Sequence, residues 1–240
     1  MRRYAKQRIF SYPDGGKAAL VSPAAGKQLR LYGVYPTNRS GGNQDMGVLK
    51  KFQDAAWLIG TVNPAYTDQT AAVQGGTTTS LISSVNGEGL AALSQKPFHL
   101  LGLSVTQADG GGATYVYEYF DGSSFVAMPM LATPSLSSTG DKLFLFAPPA
   151  DWAVGGIAAY PNHYAIRIRA TTAGATAVQA DDAWVGELLA FQGDVPHNGG
   201  LGYVPPSDFS ELLENFEELM PYFSVPSANN LVTVRYYQEG

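Results

Sequence analysis

The 240-residue chain contains no cysteine, few charged residues and no long apolar run. Without cysteine it has no disulfide framework, no thiolate metal ligand and no cysteine nucleophile. Its apolar runs, such as 55–60 and 143–149, are far shorter than the ~20 residues of a membrane-spanning helix. The N-terminal segment is basic but lacks the apolar core of a signal peptide. We therefore expect a soluble protein that is made in the cytoplasm.

Neither histidine nor glycine forms a catalytic or cofactor-binding pattern. The three histidines, His99, His163 and His197, lie in different segments and lack the H-E-x-x-H or His-x-His spacing of metal ligands. The glycine run 110–112 precedes a predicted strand, whereas phosphate-binding loops lead into a helix. Ser123 lacks the second glycine of a nucleophile elbow. The sequence thus predicts no metal site and no cofactor.

The carboxylates form no recognisable acid–base pair. Asp181 and Asp182 are adjacent, and neighbours on a strand face opposite sides, so they do not easily share a proton or a metal. Glycosidase chemistry needs two carboxylates across a cleft. Asp121 is instead explained by a turn, and Asp151 by the corner before Trp152. We predict no catalytic residue and no enzymatic activity.

The composition and its patterns favour an all-β fold. Aromatic alternation in 115–120, the turn Asp121-Gly122 and a second run at 124–128 predict a β-hairpin. Tyr164 to Arg169 alternates as a half-buried strand with Arg167 and Arg169 facing outward. Segment 37–47 is Gly/Asn-rich and predicts an exposed loop. Further strands are predicted at 29–35, 56–62, 77–82, 89–93, 98–106, 181–191 and 231–237, near the 8–12-residue spacing of a sandwich or barrel.

Three segments also carry a family resemblance. They read YEYFDGSSF at 117–125, FAPPADW at 146–152 and YAIRIRATT at 164–172. In this order they resemble a β-sandwich module of tailed-bacteriophage virion proteins, over roughly residues 97–191. The resemblance implies a structural role in the virion, and we predict a jelly-roll-like β-sandwich at 18–193.

Charge is distributed unevenly along the chain. Residues 1–51 hold ten basic and two acidic side chains, a net charge of +8, whereas the remainder carries −13. This polarity favours an acidic partner surface for the N-terminal part, or neutralisation within one fold. We predict a basic N-terminal arm at 1–17. Its partner-binding candidates are Arg2, Arg3, Tyr4, Lys6 and Arg8.

The C-terminal extension, 194–240, is predicted to hold a connector, an amphipathic helix and a final strand. The helix would span Asp208 to Met220 and stop at Pro221. Its apolar stripe would pack on the protein's own sandwich or on a neighbouring subunit. The partner-binding candidates there are Phe209, Leu212, Leu213, Phe216 and Met220.

These observations lead to one functional expectation with two alternatives. We expect a non-enzymatic structural protein of a tailed-phage virion, in first place a capsid decoration (cement) protein that stabilises the head. A tail, baseplate or fibre-anchoring component is the alternative within virions. A carbohydrate-binding β-sandwich is the alternative of another class, with Trp57, Trp152, Trp184 and the tyrosines as stacking candidates.

The expected partners follow from the resemblance and from the charge split. They are the major capsid protein or another virion protein, and further copies of the chain in a homo-oligomer, in first place a trimer. Neither a membrane nor a nucleic acid is expected as a partner, and the expected location is the virion.

Overall fold

The computed structural model describes residues 6–11, 28–52, 55–61, 66–204, 211–213, 217–224 and 229–239. Within these ranges the chain forms seventeen strands and one short helix, and that helix is not long enough to cross a membrane. The elements are β1 Lys6–Ser11, β2 Gln28–Thr37, β3 Gln44–Phe52, β4 Ala56–Thr61, β5 Tyr66–Asp68, α1 Thr70–Gln74, β6 Thr79–Ile82, β7 Glu88–Ser94, β8 Leu100–Gln107, β9 Thr114–Phe120, β10 Phe125–Ala127, β11 Met130–Ala132, β12 Gly140–Phe146, β13 Tyr164–Thr172, β14 Val178–Val195, β15 Glu211–Leu213, β16 Glu217–Phe223 and β17 Leu231–Glu239.

The predicted all-β class is confirmed: antiparallel sheets pack as a sandwich. The chain divides into two compact units. We call residues 54–185 the central unit, and residues 1–53 with 186–240 the split unit. This division differs from the boundaries predicted from the sequence.

The central unit contains a six-stranded sheet in the order β10-β9-β13-β7-β4-β5. Its other sheet runs β11-β12-β8-β14, and β6 also pairs with β14. The two sheets meet through rings such as Tyr117 on β9 and Phe144 on β12, whose centroids are 5.7 Å apart. The predicted hairpin is confirmed, because Phe120 on β9 pairs with Phe125 on β10. The sandwich core is therefore built from the aromatic-rich strands that the sequence marks.

In the split unit one sheet runs β1-β17-β2-β15, and β3 lies between β14 and β16. Apolar side chains from both sets of strands fill one buried cluster. Its members include Leu31, Val34, Met46, Val48, Leu219, Phe223, Val232 and Val234.

The predicted C-terminal helix is wrong. Residues 211–213 and 217–223 are strands β15 and β16, and β16 pairs with β3 from Glu217↔Phe52 to Phe223↔Met46. Tertiary pairing overrides the helical spacing of the apolar residues. Pro221 does not end a helix but lies inside β16. It is tolerated because β16 ends its sheet, and an edge strand can lack one N–H.

The predicted N-terminal arm is also corrected in part. Lys6 to Ser11 form β1, which pairs along its whole length with β17. Lys6 and Arg8 therefore belong to a sheet through their backbones. Arg2, Arg3 and Tyr4 lie outside the described residues. The final strand is confirmed as β17.

The predicted exposed loop at 37–47 is shorter than expected and has a buried anchor. Gln44 to Gly47 begin β3, and Asn38 is 0% exposed. The amide of Asn38 donates to the carbonyl oxygens of Gly42 and Val195, at 2.7 and 2.8 Å. The polar side chain of Asn38 is buried here because it satisfies backbone groups, whereas residues 41–43 are exposed.

Candidate functional site

A cavity of about 770 Å³ lies over the six-stranded sheet of the central unit. Strands β4 and β5, the β9–β10 hairpin and strand β13 contribute to its wall. The remaining wall comes from residues 147–163, which we call the corner loop. Its volume falls in the range of ~300–1,000 Å³ that is typical of small-molecule sites.

The hairpin turn fixes one wall. The Oδ1 atom of Asp121 accepts hydrogen bonds from the backbone N–H groups of Ser123 and Ser124, both at 2.8 Å. The Ser124 bond is the main cause of the lowered pKa of Asp121. Gly122 has a φ of 99°, which a residue with a side chain rarely adopts. The turn therefore holds both serines and Phe125 at the cavity.

The corner loop is anchored by Trp152. This indole is 7% exposed, and its Nε1 donates to the carbonyl oxygen of Ala165 at 3.2 Å. Its backbone N–H donates to the carbonyl oxygen of Pro149 at 3.2 Å. Ala153 then donates to the carbonyl oxygen of Phe120 at 2.9 Å. The loop is thus tied to both β13 and the hairpin.

Close packing continues into the loop beyond Trp152. Gly156 has a φ of 81°, and a Cβ built there would lie 2.8 Å from the ring of Phe120. Only glycine fits this contact without a shift. The backbone N–H of Tyr160 donates to the carbonyl oxygen of Ile157 at 2.8 Å. Ile157, which is 4% exposed, and Tyr160 both line the cavity.

Arg167 provides the cationic part of the wall. Its side chain is only 9% exposed, and its guanidinium carbon lies 4.0 Å from the centroid of the Phe125 ring. Its Nε donates to Oε2 of Glu118 at 2.7 Å. Nη2 of Arg169 donates to Oε1 of the same carboxylate at 3.0 Å. The Nη groups of Arg167 make no hydrogen bond with any residue that the structure describes.

The pKa of Glu118 reflects this arrangement. Burial alone would raise the pKa, but the hydrogen bonds from Arg169 and Arg167 outweigh it, and the net direction is downward. Two guanidinium groups share one carboxylate. The group of three therefore carries one positive charge.

Asp68 and Tyr160 form the second polar feature of the wall. The Tyr160 hydroxyl donates to Oδ2 of Asp68 at 2.8 Å, and the Thr70 N–H donates to Oδ1 at 2.8 Å. Hydrogen bonding from Thr70, and then from Tyr160, lowers the pKa of Asp68. The bond to Asp68 raises the pKa of Tyr160. At neutral pH this pair is an ionised carboxylate with a neutral phenol.

The cavity rests on a packed hydrophobic cluster. The floor of the site is therefore continuous with the sheet and is held in one arrangement. Buried Leu58, Ala91, Leu93, Ile157 and Ala165 form the cluster, and partly buried Tyr66, Phe125 and Tyr160 pack against it.

The predicted stacking candidates among the tryptophans do not reach the surface. Trp57, Trp152 and Trp184 are 0%, 7% and 4% exposed. Their indoles fill the core, as large aromatic side chains usually do. The rings at the cavity are instead those of Tyr66, Phe120, Phe125 and Tyr160.

The aspartates and histidines that the sequence analysis considered lie in turns or make hydrogen bonds within the fold. Asp121 caps its turn, and Asp151 accepts from the Tyr119 hydroxyl at 2.9 Å. His163 and His197 lie in turns, as the sequence predicts. Across the described ranges, no group of three or more His, Asp or Glu side chains could hold a metal ion.

The partner-binding candidates are not brought together at this cavity. Met220 is 3% exposed in β16 of the split unit. Leu212 and Leu213 lie in β15, and Phe209 and Phe216 lie outside the described residues.

Sequence reasoning missed Arg167, Asp68 and Tyr160 as site residues. It placed Arg167 on an outward face, but the structure buries it at 8% exposure under Phe125 and beside Glu118. The signal that could have found it is a glutamate among the tyrosines of β9, opposite two arginines on the next strand of the sheet. Opposite charges at facing positions indicate a cross-strand pair.

Comparison of the chain with protein-family models, curated proteins and solved structures gives no match.

Proposed function

We propose that this chain is a non-enzymatic structural protein of a tailed-phage virion. Within that class we propose a capsid decoration protein that stabilises the head. A tail, baseplate or fibre-anchoring role is the alternative. The proposal starts from the three segments that resemble a virion β-sandwich module.

The observation that carries the proposal is the contact between these segments. Tyr119 of the first donates its hydroxyl proton to Asp151 of the second at 2.9 Å. Trp152 of the second donates to the carbonyl oxygen of Ala165 in the third at 3.2 Å. Glu118 of the first accepts from Arg167 of the third at 2.7 Å. Three resembling segments that contact one another in the fold are more consistent with a single module than with three chance likenesses.

Self-association is part of the proposal, with a trimer as the expected copy number. Its motivation is the charge split of +8 and −13 along the chain. One of the basic residues is already neutralised within the split unit, because Lys50 Nζ lies 2.8 Å from Oε2 of Glu187. Analytical ultracentrifugation of the purified chain at micromolar concentration tests this part, and a clean monomer would count against it.

Electron microscopy of intact particles from the source of this chain tests the main proposal. We expect density that fits the central sandwich at repeated positions on the outer head surface. Density on the tail or baseplate would select the alternative within virions. Absence of the chain from purified particles, measured by mass spectrometry, would overturn the virion role.

The non-enzymatic part has its own test. A screen of glycoside, ester and peptide substrates should give rates equal to those of buffer alone. Hydrolysis that a single Asp or His substitution abolishes would overturn it.

A further inference from the structure

We propose that the cavity over the six-stranded sheet is a saccharide-binding site, and that its ligand is an uncharged oligosaccharide of pyranose rings. This site is independent of the virion role proposed above. It is formed by the central unit alone. Its wall combines residues of the first and third motifs with Asp68 and Tyr160, which lie outside all three motifs.

The polar groups of the wall include both donors and acceptors. The Nη groups of Arg167 are donors without a partner among the described residues, on a side chain that is 9% exposed. Asp68 is an ionised acceptor. The Ser123 hydroxyl donates to Oδ1 of Asp121 at 2.9 Å and can still accept, and the Ser124 hydroxyl can donate or accept. Sugar hydroxyls also donate and accept. A polyol can therefore pair with the arginine and with the carboxylate of the wall.

The aromatic rings of the wall suit the apolar C–H face of a sugar ring. The rings of Tyr66, Phe120, Phe125 and Tyr160 line the cavity and are half-buried, so part of each ring is accessible. A pyranose ring presents a face of C–H groups that packs on an aromatic ring. Few polar groups on a mainly apolar wall are the usual composition of a small-molecule site.

Charge selects an uncharged ligand over an anion. The guanidiniums of Arg167 and Arg169 are balanced by the carboxylates of Glu118 and Asp68. Arg167 in the wall would attract a phosphate or an acidic sugar that entered the cavity, and Asp68 in the same wall would repel it. An uncharged polyol meets no such repulsion.

The wall is also held in place before a ligand enters. Tyr160 is fixed by its 2.8 Å hydrogen bond to Asp68, and the guanidinium of Arg167 is fixed between Glu118 and the Phe125 ring. Groups that are already ordered lose little entropy on binding, which favours affinity.

Isothermal titration calorimetry with maltotriose, cellotriose and tri-N-acetylchitotriose tests the proposal, with sialyllactose and inorganic phosphate as charged probes. We expect saturable binding of at least one uncharged trisaccharide. Asp68→Asn and Tyr66→Ala should each weaken it by about tenfold or more, since hydrogen bonds to charged groups and aromatic burial contribute at this level.

The matched control is Tyr115→Phe. Like Tyr160, Tyr115 donates its hydroxyl proton to an aspartate, here Asp109 at 3.0 Å, but it does not line the cavity. Tyr160→Phe should weaken saccharide binding while Tyr115→Phe leaves it unchanged, with both variants folded by circular dichroism. No binding of any uncharged probe, binding of charged probes only, or equal effects of the two Tyr→Phe changes would overturn the site.

Discussion

The Nε atom of Arg167 donates a 2.7 Å hydrogen bond to Oε2 of Glu118, although 49 positions separate the two residues in the sequence. Both side chains are mostly buried, at 9% and 12% exposure. The pair joins β9 to β13, which are neighbouring strands of the six-stranded sheet. It links the scaffold of the central unit to the wall of the cavity.

The first prediction is that Glu118→Gln destabilises the protein strongly. The change keeps the shape of the side chain but leaves the buried guanidinium of Arg167 without its counter-charge. Breaking a buried pair from one side costs about 3–5 kcal/mol. Urea unfolding should show this loss. Glu187→Gln is the comparison, because Glu187 is the partner of Lys50 and is 32% exposed. This change should lower the free energy of unfolding by less. Equal losses would contradict the importance of burial at Glu118.

The second prediction concerns acid stability. The pKa of Glu118 is lower in the folded protein than its ordinary value of 4.5. The unfolded chain therefore takes up a proton first as the pH falls, and the stabilisation is complete above pH 4.5 and lost on passing through the lower folded pKa. Melting temperature should fall with acidification in this range. Glu118→Gln should show a smaller fall, and an equal fall in both proteins would assign the acid sensitivity to other groups.

The third prediction is that Asn38 stabilises the split unit through its hydrogen bonds. Its Nδ2 donates to Val195 and Gly42, and its Oδ1 accepts from the Ser40 N–H at 2.9 Å. Asn38→Ala leaves the buried carbonyl oxygen of Val195 without this partner, at a cost of about 1–3 kcal/mol, and also removes the two part-buried hydrogen bonds to Gly42 and Ser40. Urea unfolding checks the loss.

Asn43→Ala is the matched control in the same loop. Asn43 donates to Asp194 at 2.9 Å, but the contact is exposed. Its loss should change the free energy of unfolding by less than about 0.5 kcal/mol. A control that loses as much as Asn38→Ala would show that burial is not the cause.

Local patterns predicted part of this fold. The hairpin at Asp121 was found because the turn and its two strands are neighbours in sequence. Met220 was misassigned because a short amphipathic run fits helix and strand alike, and its partner strand β3 is distant in sequence. The exposure of Arg167 was misjudged because alternation does not reveal what covers each face of a sheet.

The cavity could not be predicted from the sequence, for a related reason. Asp68 and Tyr160 are 92 positions apart and meet only after β5 and the corner loop have taken their places. Neither residue belongs to a motif with a fixed spacing. Side chains brought together by folding alone leave no local signal in the sequence.

The fourth prediction tests packing between β8 and β14 in the central unit. Gly102 lies against the indole of Trp184, and a Cβ built on Gly102 would lie 2.1 Å from Cε2 of that ring. Trp184 is 4% exposed, so its ring has little room to move. Gly102→Ala should therefore destabilise the protein by about 1–3 kcal/mol or more through overpacking. Thermal unfolding by circular dichroism measures the change.

Gly42→Ala is the control for the general effect of replacing a glycine. A Cβ at Gly42 meets nothing within 4 Å, and its φ does not require glycine. This variant should melt like the original protein. Trp184→Phe supplies a second check, because a smaller ring relieves the clash. The double variant Gly102→Ala/Trp184→Phe should lose less than the sum of its single changes. Additive losses would mean that the indole does not exclude a side chain at Gly102.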